Sequence, residues 1–513
     1  MYNAIHSASV FGVEGKNICV EVDISNGLPQ VHIVGLPDPA VRESVERVRA
    51  ALKNSGFNFP MERITVNLAP ADLRKEGTAF DVAIAAGILT ASGQLGGAPF
   101  KDTLLIGELS LSGSIGPVPG VLAMLERAKR SGISRVLLPA GNVQEAAWIS
   151  GMELYGLTHL HELAGGGAER GWERLRHAAA DSGKRRLPDS PPQDGLDFHD
   201  VIGQQQAKRA MLIAASGKHN ILLCGPPGTG KTMMIRRLPG ILPPLVEEEA
   251  LEVTKIYSVA GKLSDGARGL MASPPFRAPH HSISAGGMIG GGSIPKPGEV
   301  TLAHRGILFL DELPEFPRAV LELLRQPLED RIVTISRSRA TVQFPANLML
   351  AVSYNPCPCG YFGYEHGEKI CTCSPTSIAR YRSKLSGPLL DRIDLQLEVP
   401  RPRFDQHRAG ERGLTTVELQ RQVVAARTRQ LERNRTYGVR FNSELTGSGL
   451  LRAAALHADA RMLLDNAFEA LGISMRAYDR ILKLARTIAD LEDCDSVRSE
   501  HVAEAISYRR VEP

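Results

Sequence analysis

At 513 residues the chain is long enough for about three domains of about 100–200 residues each, and 43% hydrophobic with 23% charged residues is the composition of an ordinary soluble protein. Its apolar runs fall short of the ~18 residues of a membrane span, and the start Met1-Tyr2-Asn3-Ala4-Ile5-His6 lacks the features of a secretory signal, so a cytoplasmic protein with no membrane partner is expected. Basic residues (60) barely outnumber acidic ones (56), which neither demands nor excludes nucleic acid, and an odd count of seven cysteines disfavours a secreted disulfide framework.

Residues 1–180 alternate strand and helix patterns. Residues 31–35 and 63–68 read as strands, and 41–52 as a helix with apolar positions Val41, Val45, Val48 and Leu52. Residues 181–197 are polar and proline-rich, a linker composition. From 198 to 400, short apolar runs at 220–224, 307–310 and 348–352 suit a parallel sheet covered on both faces. Residues 401–513 are mostly helical in pattern, as at 477–491. The fold class expected is α/β: a P-loop parallel sheet with a helical lid domain, preceded by an α+β domain.

The run Gly225-Pro226-Pro227-Gly228-Thr229-Gly230-Lys231-Thr232 follows a strand pattern and precedes a helical one. That is the context of a phosphate-binding loop: its glycines let backbone N–H groups approach phosphate oxygens, Lys231 reaches the β- and γ-phosphates, and Thr232 ligates Mg2+. Asp311 ends the apolar run 307–310, where a carboxylate holds Mg2+, and Glu312 beside it polarises the attacking water. ATP and Mg2+ are the cofactors expected. A plain tight turn and a solvated Asp-Glu pair are the bland alternatives, and their co-occurrence argues against both.

With the Asp-Glu pair, a strand ending Ser353-Tyr354-Asn355-Pro356, and Leu389-Leu390-Asp391-Arg392-Ile393-Asp394, the chain resembles an AAA+ ATPase. The resemblance is strongest to the magnesium-chelatase-like branch called the ComM/YifB family, and extends to the MCM helicase core. It implies that Asn355 is sensor 1 and Arg392 an arginine finger reaching a neighbouring subunit's nucleotide. It also implies that Arg476 is sensor 2, with Arg480 the runner-up, and that the assembly is a homohexamer. A finger supplied in trans makes physical sense, since a loose phosphoryl-transfer transition state needs fixed cations. A helix-end ion pair with Asp391 or Asp394 is the bland reading of Arg392.

Two insertions stand out. The first is glycine-rich, carries His280 and His281, and has Met288 and Ile289 between glycine pairs. It looks like the helix-2 insert of this branch, a loop directed into the ring's pore, with the histidines donating to phosphates; a surface loop is the alternative. The second, 330–344, sets two β-rich arms around Ser336-Arg337-Ser338-Arg339. It matches the pre-sensor-1 hairpin, whose Arg337 and Arg339 would track DNA phosphates without reading sequence; an edge hairpin blunted with charge is the alternative.

Cys357 and Cys359 are followed after eleven residues by Cys371 and Cys373. Two close thiol pairs suit a tetrahedral site for a soft metal, most simply a structural Zn2+, and His366 could replace one thiol; four free or redox-active thiols are the alternative. Residues 62–140 are similar to the Lon proteolytic domain, on the segments 105–121 and 128–142. Ala79 stands where that family has its serine and Leu122 where it has its lysine, so the resemblance implies a retained fold without proteolysis. Together these features imply an ATP-driven hexameric DNA helicase or branch-migration translocase acting on recombination intermediates, as in natural transformation. The alternative is a chelatase-type remodeller working on a protein partner.

Overall fold

The computed structural model describes residues 2–167, 172, 175–177, 195–263, 269–292, 295–337, 340–364, 370–401 and 413–509. They fall into two compact units, 1–189 with 247–271, and 190–246 with 272–513. The segment 247–271, which the sequence patterns assign to the ATPase core, thus clusters with the first unit. Most of the expected linker, 181–194, lies outside the described residues.

The first unit is built on an eight-stranded mixed sheet. Its strands are β1 (Tyr2–Phe11), β2 (Glu14–Ser25), β3 (Gln30–Val34), β4 (Arg63–Ala69), β5 (Thr103–Leu105), β6 (Arg135–Pro139), β7 (Glu153–Leu157) and β8 (Arg176–His177), in the order β8-β7-β6-β5-β1-β2-β4-β3. Strands β1 and β2 form a long antiparallel hairpin closed at Gly12, whose φ of +66° requires glycine or a strained substitute. Helix α1 (Pro39–Asn54) begins where Asp38 accepts the Val41 N–H at 2.7 Å and proline occupies the first turn. It buries Val41, Val48, Ala51 and Leu52. Helix α2 (Asp81–Ala91) is apolar on nearly every side and is buried accordingly. Ala79 and Leu122 sit in one cluster of buried apolar side chains. The helix Glu247–Val259 belongs here, its Ser258 Oγ accepting the Gly120 N–H at 2.9 Å and its Lys255 pairing with Glu126 at 2.9 Å.

In the second unit, β9 (Ile221–Cys224), β10 (Phe276–Arg277), β11 (Ile307–Leu310), β14 (Met349–Tyr354) and β15 (Leu395–Glu398) form an all-parallel sheet in the order β10-β11-β14-β9-β15. Strands β9, β11 and β14 are buried along their whole length, which explains their unbroken apolar sequences. An antiparallel hairpin, β12 (Ile332–Arg337) with β13 (Ala340–Pro345), is inserted ahead of β14. Helices α3 (Gln205–Gly217), α4 (Lys231–Ile241), α5 (Arg325–Asp330), α6 (Thr416–Asn434) and α7 (Met475–Leu491) complete the elements needed below. Residues of α6 and α7 share one hydrophobic cluster with the sheet, through Leu419, Val423, Ile481 and Ile488. No helix among the described residues is long and apolar enough to cross a membrane.

Candidate functional site

Residues 225–230 join the end of β9 to the start of α4. Gly228 (φ +80°) and Gly230 (φ +87°) adopt the left-handed region, and a Cβ at Gly225 would lie 2.3 Å from the Val399 carbonyl oxygen. The loop therefore exists in this shape only with these glycines. Lys231, at the first position of α4, is buried. Its Nζ donates to the Gly225 oxygen at 2.7 Å, the Pro226 oxygen at 2.9 Å and Asn355 Oδ1 at 3.2 Å. Burial pulls its pKa below the ordinary lysine value, against the opposing pull of Cys224, Asp311 and Glu312.

The other expected residues gather at the same end of the sheet. The Thr232 hydroxyl donates to Asp311 Oδ2 at 2.9 Å, and the Ser353 hydroxyl donates to Asp311 Oδ1. Asp311 is thus aimed from two sides at the point where Thr232 begins its helix, an oxygen pair suited to Mg2+. Glu312 is exposed and takes a left-handed backbone (φ +54°). Asn355 follows β14, level with the loop, because Cys224 pairs with Tyr354. Sequence reasoning missed Ser353 and also Gln204, whose amide donates to the Pro400 oxygen at 2.8 Å and to the Thr229 oxygen of the loop at 3.5 Å. The Val201-Ile202-Gly203-Gln204 run just ahead of α3 was the available signal.

His280 and His281 follow β10, which runs parallel to β11 with Phe276 opposite Ile307, so the pair comes level with Asp311 and Glu312. Their ring centroids lie 4.0 Å apart with the planes tilted by 35°, and His281 meets Phe316 edge-on. The glycine-rich stretch beyond them departs from expectation. Met288 is fully buried, in a short helix capped by Ser284, where a loop was expected. An apolar side chain with core within reach is buried there.

Arg392 and Arg476 lie elsewhere. Asn220 and Asp394 precede β9 and β15, so they mark the amino ends of the strands, whereas the phosphate loop is at the carboxyl ends. At the amino ends is a cavity of about 260 Å³ lined by Lys218, Arg331, Arg392, Arg476, Arg480 and Lys483, together with four carboxylates. Arg392 is buried. Its Nη1 donates to the Pro388 oxygen at 2.7 Å and its Nη2 to the Glu329 carboxylate. Neither Asp391 nor Asp394 is its partner. Asp394 instead binds Arg480 at 2.6 Å and takes the Asn220 N–H at 3.1 Å. Although buried, Asp394 is held well below the usual carboxylate range by Arg480 and His219. Arg476, one turn before Arg480 on α7, stays exposed. These arginines and the chain's own Lys231 face opposite ends of the sheet.

The hairpin β12–β13 buries Val333, Ile335, Val342 and Phe344 on one face. Arg337 ends its first arm, and residues 338–339, Arg339 among them, lie outside the described residues.

Cys357, Cys359, Cys371 and Cys373 bring their sulfurs within 4.8 Å of one another. The separations 357–359, 359–371 and 357–371 are 3.3, 3.6 and 3.8 Å, close to the ~3.8 Å edge of a tetrahedron with 2.3 Å zinc–sulfur bonds. The N–H groups of Gly360 and Phe362 donate to Cys357 Sγ at 3.2 and 3.4 Å, which fixes that sulfur in place. Burial pushes the Cys359 thiol up, but the N–H groups of Tyr361 and Thr372 and the Cys357 thiol outweigh it and hold it at about 6. The four thiols fit a Zn2+ ion. His366 lies outside the described residues. The cluster abuts the nucleotide loop: a Cβ on Gly360 would lie 2.7 Å from Pro227 Cδ.

A five-stranded parallel sheet with a glycine loop, an adjacent Asp-Glu pair and an asparagine at the next strand end defines an AAA+ P-loop ATPase. Three family signatures match: "Magnesium chelatase, subunit ChlI" over residues 197–407, "Subunit ChlI of Mg-chelatase" over 20–142, and "Magnesium chelatase, subunit ChlI C-terminal" over 413–509. The chain is 42% identical to YifB of Salmonella typhimurium over 513 residues, covering 99% of this chain and 97% of that one. It is likewise 42% identical to the competence protein ComM of Haemophilus influenzae over 506 residues, 98% and 97% of the two chains. Lon protease 2 of Bacillus subtilis matches at 30% identity over 29% of each chain. The protein belongs to the ComM/YifB family of magnesium-chelatase-like AAA+ ATPases.

Proposed function

We propose that this ATPase is a ring-forming DNA motor in the cytoplasm that binds without regard to sequence: a homohexameric helicase or branch-migration translocase acting on recombination intermediates.

 The observation that carries this reading is the inserted hairpin. It sits between the acidic pair and Asn355, its sequence tip is Ser336-Arg337-Ser338-Arg339, and its base residue Arg331 lines the same cavity as Arg392. In a ring, such tips face a common axis, where two arginines per subunit bind phosphates of any sequence. The pair His280 and His281 adds donors on the same chain. The likeness to the competence protein ComM of Haemophilus influenzae supports this reading.

The opposed placement of Lys231 and Arg392 supports assembly. Each subunit carries the phosphate loop at one end of its sheet and Arg392 and Arg476 at the other, so a neighbour's pair completes the site head to tail. Within one subunit, Lys231 and the loop N–H groups hold the phosphates, Thr232 and Asp311 hold Mg2+, and Glu312 with Asn355 orients the attacking water. Bound Mg2+ neutralises charge on the β- and γ-phosphates. A structural Zn2+ on the four cysteines braces the loop beside Pro227. Ala79 and Leu122, buried and apolar, leave the first unit without a Ser–Lys dyad, so it serves as a platform and not as a protease.

The test is the steady-state ATPase rate with single-stranded, duplex and four-way-junction DNA, using Lys231→Ala as the blank. Stimulation that is largest for one structure, and that falls on replacing Arg337 and Arg339 with alanine, is the expected result. A rate indifferent to all DNA would overturn the reading in favour of a chelatase-type remodeller with a protein partner.

A further inference from the structure

Arg392 is turned inward. Only 8% of the residue is exposed, both Nη atoms are engaged within the chain, and its buried Nε has no hydrogen-bond partner among the described residues. A guanidinium in that position cannot reach a phosphate on another subunit without leaving Glu329. The pair is also unequal: the Arg392 side chain is 9% exposed and the Glu329 side chain 55%. An ion pair with one exposed partner is weak enough to open and close reversibly.

Glu329 occupies the last turn of α5, three residues before the hairpin starts at Ile332. Between them Arg331 takes a left-handed backbone (φ +58°), its carbonyl accepts the Ala346 N–H at 2.8 Å, and its guanidinium binds Glu444 at 3.2 Å. The base of the hairpin is therefore closed by the residue that also ends the helix carrying Glu329. Any shift of that base moves the Glu329 backbone directly, while Arg392 is anchored separately at the start of β15.

We propose that Glu329 is a positioning residue that holds Arg392 withdrawn, and that loading the hairpin β12–β13 moves the end of α5 and frees Arg392 to engage the neighbouring nucleotide. The proposal rests on the reading of Arg392 as a finger acting in trans. It ties each hydrolysis event to load on the hairpin β12–β13, transmitted through its base at Arg331. Glu329 touches no reacting atom and acts only through Arg392. The Glu329 carboxyl lies below the usual range, chiefly through its hydrogen bond to Arg392, so the restraint is in force throughout the neutral range.

The test uses the full-length chain and the DNA-free ATPase rate of Glu329→Gln, which removes the charge and keeps the shape. The rate should rise about two- to fivefold, the value of losing an ion pair whose carboxylate partner is exposed. KM for ATP should not change, the stimulation ratio with single-stranded DNA should fall toward one, and Glu329→Asp should be intermediate. The double variant Glu329→Gln/Arg392→Ala should be as slow as Arg392→Ala. A DNA-free rate that is unchanged or reduced in Glu329→Gln, at an unchanged melting temperature, overturns the restraint; if that variant melts early, Glu329→Asp decides in the same way. The two readings fail separately. Wild type stimulated by DNA with no rise in Glu329→Gln sinks the restraint alone, and a rise in Glu329→Gln with wild type indifferent to DNA sinks the DNA reading alone. Full activity in Arg392→Ala sinks the finger and the restraint together.

Discussion

Substituting Gly360 tests whether the cysteine loop supports the nucleotide loop. Gly360 has φ +87°, and an added Cβ would lie 2.7 Å from Pro227 Cδ and 3.2 Å from its Cγ. A proline ring cannot swing aside, so either the cysteine loop or residues 225–230 must shift by roughly 1 Å to restore ordinary contact. Gly360→Ala then carries two costs: about 1 kcal/mol for a left-handed alanine, and about 1–3 kcal/mol for overpacking against the ring. Only the second acts on the phosphate loop. At about 1.4 kcal/mol per decade, the Kd for Mg-ATP should rise about 5- to 140-fold. Gly363 supplies the control, because it lies in the same loop with φ +78° and nothing within 4 Å of an added Cβ. Gly363→Ala carries the backbone cost without the collision and should bind nucleotide as wild type does. The assay is titration with a fluorescent ATP analogue, with zinc content measured on the same samples. Equal affinities for Gly360→Ala and Gly363→Ala, at equal zinc content, would refute the contact as a support.

Three further outcomes are expected. Lys231→Ala and Arg392→Ala should each lose about a thousandfold or more in turnover, while a mixture of the two recovers activity because about one head-to-tail interface in four then pairs an intact loop with an intact finger; a mixture as inactive as its components refutes action in trans. Metal analysis of protein purified without added zinc should find about one Zn2+ per chain, lost in Cys357→Ser/Cys359→Ser, and a stably folded metal-free protein would refute the site. Burial brings the Lys218 amine down to about 7, where its Nζ donates to Asn347, against an ordinary value of 10.5. Between those values the unfolded chain binds the proton and the folded chain does not, so folding stability gains from this group as pH rises from about 7 toward 10.5 and the gain is absent below 7. Denaturant titrations of wild type and Lys218→Met across that range should diverge in this direction, and parallel pH profiles would count against it.

The fold class, and the gathering of the glycine loop, Asp311 and Asn355 at one end of the sheet, were legible in the sequence because their determinants are local. An unbroken apolar run, a glycine loop and a helix start are contiguous from 221 to 241, and Asp311 and Asn355 each sit at the end of a strand whose apolar pattern marks it. Parallel strands that share a carboxyl end bring such residues together without further information. The four cysteines were legible for the same reason, two close pairs joined by a short loop.

What depends on contacts between distant segments was not legible. Met288, between glycine pairs in what reads as a loop, is buried, because glycine spacing reports backbone freedom and says nothing of which core lies nearby. Arg392 has two acidic neighbours in sequence, yet its partner is Glu329, 63 residues away, while Asp394 goes to Arg480. Ion-pair choice among several carboxylates is set by where the backbone carries them, and only the packed sheet and helices decide that. The assignment of 247–271 to the first unit has the same origin: the helix Glu247–Val259 has apolar residues that would suit either core, and it is the fit of Ser258 and Lys255 to Gly120 and Glu126 that places it.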